Sequence, residues 1–368
     1  MYALGRNTLW YPLPKFSQGY VMSSQTKIAI ASLALLFSTL ACVTLLGDGL
    51  PEETESPLFP ATQLPITEVP VTQIPFTQEV AVSCPAITDQ IIALAVMGGE
   101  NVEENLLDTE VTIVTYTVSG DELSDPYYES VSSDLQDEQD DEPTHRQVWD
   151  YFLAIIPADQ REVLSEYAII TDGQGGTLAA VSQSYTDPAL WSLQIDIADT
   201  SNYYDLTYTL VHEFGHLLTL GPNQVPPSLA IFNNPEDDNL YFEEVSACPN
   251  YFPGEGCATP DSYINNYYNQ FWVDIYDEWN EINLEEDEDL YYEKLDEFYY
   301  KYEDQFVTSY AATNPEEDIA EAWSFFVFGP QPAGDTIAEE KVLFFYYYPE
   351  LVELRANILK NMCVTFPE

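Results

Sequence analysis

Five residues in the middle of the chain, His212-Glu213-Phe214-Gly215-His216, restrict the fold more than any other feature of the sequence. A helix turns roughly 100° per residue, so residues four apart share one face and can aim two imidazoles at one ion. The chain has only three histidines, and two of them stand in this register. The flanks agree with a helix: 205–211 lead in without a breaker, Leu217, Leu218 and Leu220 continue, and Gly221-Pro222 supply the stop. Such a chain has to support this helix and bring a further ligand to it from elsewhere. Glu213, next to the first imidazole, stands where a base for a water is needed.

Two imidazoles leave a catalytic zinc site one protein ligand short. A metzincin would carry glycine three and histidine six residues after His216; Thr219 and Pro222 stand there, which excludes that pattern. The remaining histidine, His145, lies beside an acidic run and reads as a surface residue. The expected third ligand is therefore a carboxylate from a later helix. The segment 308–323 offers one: Asn314-Pro315 make a helix start, and Glu317 and Glu321 then share a face. Ile319, Ala322, Trp323 and Phe326 give that helix its packing surface. One carboxylate can bind the metal while the other holds a ligating imidazole. The competing reading is an ordinary acidic first turn favoured by the helix dipole.

HEFGH together with TSYxxTNxxExxAEA at 308–322 resembles the gluzincin metallopeptidases related to the catalytic domain of anthrax lethal factor. The resemblance covers these two blocks, and the stretch between His216 and Tyr310 shows no such likeness. It implies Zn2+ held by His212, His216 and Glu317, with Glu321 supporting a zinc-bound histidine. It further implies that Tyr310 points into the site to stabilise an oxyanion while Glu213 acts as general base on a protein or peptide substrate.

Ahead of the HExxH helix, 167–171 and 190–197 read as strands. The turn signal Asp172-Gly173-Gln174-Gly175-Gly176 follows the first, and 178–181 make a further strand. Beyond it, 262–283 and 290–307 read as helices whose aromatic spacing signals core packing. A helix at 349–362 closes the domain through Leu351, Leu354, Ile358 and Leu359. The expected fold class is α+β. With the resemblance it becomes a zincin-like domain at 84–368, with a small mixed sheet and a mostly helical C-terminal part. An edge strand of such a sheet binds peptide by strand addition.

Residues 28–46 form a nearly unbroken apolar run after Lys27, with Ser38-Thr39-Leu40-Ala41-Cys42 inside it. The segment 1–46 looks like a bacterial lipoprotein signal with Cys42 as lipid acceptor, and 22–27 as its n-region makes Met22 an alternative start. A plain cleaved signal or an uncleaved membrane anchor fits the same run. All three place the bulk of the chain outside the cytoplasm, anchored to the cell membrane or secreted. Three P-x-T-[QE]-x pentads at 65–79 make 47–83 a Pro/Thr-rich disordered tether.

With Cys42 set aside, four cysteines remain, an even number suited to an oxidising compartment. Cys248 and Cys257 bracket a turn-rich loop suited to one disulfide, and Cys84 with Cys363 would join the ends of the folded region. A formal charge of −53, from 63 acidic against 10 basic residues, argues against a nucleic-acid partner. The acidic runs at 134–142 and 285–289 read as solvated faces; high salt, basic substrates or Ca2+ each fit, without an EF-hand pattern. The expected function is an extracytoplasmic, membrane-tethered zinc metalloendopeptidase. The alternative is a non-catalytic zincin-fold binding lipoprotein on the cell surface, and an anchored structural protein would bind no metal.

Overall fold

A computed structural model describes residues 83–97, 105–285 and 287–367. The expected signal or anchor at 1–46, with Cys42, and all but the last residue of the 47–83 tether lie outside them. The fold is α+β. Strands β1 (Asn105–Ser119), β2 (Glu122–Tyr128), β3 (Leu164–Gln174), β4 (Ala179–Gln183) and β5 (Trp191–Asp196) form one sheet in the order β2-β1-β3-β5-β4. Only the β3–β5 pair is parallel, so the sheet is mixed and β4 is an edge strand.

The β1–β2 hairpin follows from period-two alternation in β1, where Val114, Tyr116 and Val118 are buried. Its turn places Gly120 at φ 62°, the left-handed region that glycine adopts without strain. Helix α1 (Pro85–Met97) precedes the hairpin in the chain, and α2 (Gln136–Asp140) and α3 (Glu142–Ile155) follow it. The inward face of α3 buries Val148, Trp149, Phe152 and Ile155, and the Trp149 ring lies 5.1 Å from Tyr167 of β3.

The same face corrects the reading of His145, which is fully buried. Its Nε2 donates to the Glu138 carbonyl at 2.8 Å and its Nδ1 accepts from the Tyr116 hydroxyl at 2.9 Å. A neutral imidazole bonded at both nitrogens is compatible with a core position, whatever the charge of the neighbouring run.

Helix α4 (Tyr203–Leu220) carries the HExxH residues. Asn202 caps its start by accepting from the Tyr204 amide, and its middle is buried on almost every side. It is followed by α5 (Leu229–Asn233), α6 (Asp238–Ala247), α7 (Tyr263–Phe271), α8 (Tyr276–Asn283) and α9 (Glu288–Lys301). The single helix expected at 262–283 is thus two. The break lets Trp272 donate to Asp318 Oδ2 and Trp279 donate to the Thr313 carbonyl, each at 2.7 Å. The helix expected at 290–307 ends early, at Lys301, and a 3-10 turn follows at Glu303–Gln305.

Helix α10 (Pro315–Phe328) packs directly on α4, and α11 (Ile337–Phe344) and α12 (Pro349–Thr365) complete the domain. The contact is close: a Cβ at Gly215 would stand 3.0 Å from Trp323 Cδ1 and 3.3 Å from Ala320 Cα. The α10 start is fixed by Asn314, whose side chain accepts from the Glu317 amide at 2.7 Å, with Pro315 in the first turn. Two disulfides are present. Cys84–Cys363 joins the start of α1 to the end of α12, and Cys248–Cys257 closes the loop after α6. Among the described residues no helix is long and apolar enough to cross a membrane.

Candidate metal centre

The turn spacing of α4 stacks His212 above His216, and the packing of α10 brings Glu317 to meet both. His212 Nε2 lies 3.1 Å from His216 Nε2 and 3.0 Å from Glu317 Oε2, and the third side of this triangle is 3.5 Å. Three ligand atoms around a tetrahedral zinc, at bonds of about 2.0–2.1 Å, stand about 3.3 Å from one another. Two nitrogens and one carboxylate oxygen are also the donor set that suits zinc. Donor chemistry and spacing therefore both fit. Glu213 is the rival carboxylate, since it too offers an atom within 4.8 Å of both imidazoles; the shorter edges favour Glu317.

Glu321, one turn beyond Glu317, stands behind His212. Its Oε1 accepts from His212 Nδ1 at 3.0 Å and from the Tyr208 hydroxyl at 2.7 Å, while its Oε2 accepts from Thr308 Oγ1 at 2.5 Å. With Nδ1–H committed to Glu321, Nε2 is the nitrogen of His212 that faces the centre. His216 lacks a matching support: its Nδ1 has no hydrogen-bond partner among the described residues. The Tyr310 hydroxyl bonds to Glu317, and its ring lies 5.9 Å from His212. Glu316 turns the other way, accepting from Tyr251 at 2.7 Å.

The electrostatics are those of a centre that calls for positive charge. Burial works against charge on His212, yet its hydrogen bonds to Glu317 and Glu321 hold its pKa well above the usual histidine range. Burial likewise opposes ionisation of Glu317, but the His216 and His212 imidazoles bring it down to about 2. The two shifts have one cause: the buried imidazoles and carboxylates stabilise each other's charged forms. Glu213 behaves oppositely: burial, with Glu317 nearby, pushes it up to about 8, while His212 and the Val181 amide pull it down. Asp318 is compensated separately by Lys341, in an ion pair of 2.6 Å that is buried on both sides.

The residues singled out from sequence, His212, Glu213, His216, Tyr310, Glu317 and Glu321, all converge on this one place. Tyr208 and Thr308 were absent from that set. Tyr208 precedes His212 by one turn and Thr308 lies inside the TSY block, so spacing alone marks both as neighbours of the site. Set against known proteins, the chain matches no family model, no curated protein and no solved structure.

Proposed function

We propose that the chain is an extracytoplasmic zinc metalloendopeptidase of gluzincin type, with a zincin-like catalytic domain at 84–368. The observation that carries this reading is the triangle of His212 Nε2, His216 Nε2 and Glu317 Oε2, with Glu213 and Tyr310 beside it. His212, His216 and Glu317 would hold Zn2+. When bound, zinc supplies Lewis-acid chemistry, polarising a carbonyl and making a water more acidic.

The chain's own residues divide the remaining tasks. Glu213, anchored by the Val181 amide, takes a proton from the attacking water and delivers it to the leaving amine. The Tyr310 hydroxyl, which remains protonated because burial and then Glu317 raise its pKa well above the usual phenol range, would turn its one proton from Glu317 to the developing oxyanion. Glu321 holds His212 in one tautomer. The Val181 contact also sets edge strand β4 beside Glu213, so a peptide added antiparallel to β4 would run past the base. The disulfides suit an oxidising compartment, and the apolar segment near the amino terminus suits a membrane tether.

Metal content and peptide-library hydrolysis of the purified protein test this reading. The expected result is one zinc per chain and chelator-sensitive cleavage. Stoichiometric zinc with no cleavage of any peptide would instead support the binding lipoprotein.

A further inference from the structure

Thr308 occupies a position that the proposed chemistry does not use, yet its hydroxyl connects two parts of the site. Its single proton goes to Glu321 Oε2 at 2.5 Å, because a carboxylate oxygen can only accept. Its lone pair accepts from the Ala311 amide at 3.2 Å. Ala311 is fully buried and belongs to the 3-10 turn Tyr310–Ala312, so this second bond fixes the turn that presents Tyr310. Tyr208 completes the cradle from α4, one turn before His212, by donating to the other Glu321 oxygen.

The geometry points to Thr308 and Tyr208 as positioning residues: through Glu321 they orient His212 for the metal, and Thr308 alone also ties that carboxylate to the turn bearing Tyr310. The inference rests on the zinc reading. Without the Thr308 hydroxyl, Glu321 keeps donors on one oxygen only and is free to turn, and His212 turns with it. Support of this kind behind a ligating imidazole typically sets metal affinity by about 10–100-fold. The connection to Tyr310 adds a consequence that simple destabilisation does not produce: two hydroxyls thirteen and eleven residues ahead of Glu321 act as one unit.

The test measures the zinc dissociation constant of the full chain by competition with a chromophoric chelator, together with kcat and KM at saturating zinc. Thr308→Val and Tyr208→Phe are each expected to weaken zinc binding by about tenfold or more, while Thr308→Ser restores wild-type affinity. Thr308→Val is also expected to lower kcat with little change in KM, and to cause no further loss of kcat in a Tyr310→Phe background. If Thr308→Val does not fold by circular dichroism, Tyr208→Phe, which keeps the ring, reads the same cradle, and Thr308→Ala in the Tyr310→Phe background reads the turn. Affinities within twofold of wild type in the folded variants overturn the inference while leaving the zinc reading intact. A fully additive loss of kcat with Tyr310→Phe overturns the connection to the turn. A wild type that binds no zinc overturns both readings.

Discussion

Glu213 and Glu317 are both buried carboxylates near the same two imidazoles, and their surroundings push them in opposite directions. The held-down Glu317 is suited to bind a cation and the raised Glu213 to accept a proton. Glu213→Gln is therefore expected to retain zinc and to lose peptide hydrolysis by about 10²–10⁴-fold, measured by metal analysis and turnover of one preparation. Glu317→Ala should lose zinc, whereas Glu316→Ala, whose side chain faces Tyr251, should keep it. Because an imidazole binds a metal only through an unprotonated nitrogen, zinc affinity is expected to fall as pH falls; calorimetry in buffers of different ionisation enthalpy would detect released protons.

His145 yields a separate prediction with a definite sign. Burial lowers its pKa below the ordinary value of 6.5. The unfolded chain therefore binds the proton more readily, and the stability present above about pH 6.5 is lost as pH falls towards the folded pKa. Urea melts between pH 7 and 5 should show a smaller decline for His145→Gln than for wild type, a comparison that cancels the other titrating groups.

At the scale of elements, the site is a meeting of α4 and α10, and Gly215 sets how closely they meet. Gly215→Val would drive a branched side chain against Ala320 and Trp323. The expected cost is about 1–3 kcal/mol of stability, and zinc should bind more weakly because Glu317 and Glu321 retreat with α10. Denaturant melts and chelator competition measure the two effects. These two helices were also the most legible parts of the sequence, since a cap, a proline and an i,i+4 pair are local signals. The β1–β2 hairpin went unread even though Val114, Tyr116 and Val118 alternate. The break after Phe271 goes with hydrogen bonds from Trp272 and Trp279 to residues 46 and 34 positions away, which no local pattern encodes. His145 misled for the same reason: its partner Tyr116 is 29 residues off. Among 27 tyrosines, only its place one turn before His212 marks Tyr208, and what it does there shows once Glu321 is seen opposite it.

For the whole molecule, 63 acidic against 10 basic residues make self-repulsion a standing load on the folded state. Screening has a Debye length of about 10 Å at 0.1 M salt and about 3 Å at 1 M. The melting temperature is accordingly expected to rise by several degrees between 0.05 and 0.5 M NaCl, and a flat or falling profile by scanning calorimetry would refute it. The Cys84–Cys363 bridge has a consequence of another kind. A pull delivered through residue 83 reaches Cys84 and passes at once to both α1 and the last turn of α12. Helix α1 cannot be peeled away as a free end, because it moves only with its partner. In mechanical terms the bridge is a clasp, and a tug on the amino-terminal side of the folded body would load that clasp before it reached the two helices that carry His212, His216 and Glu317.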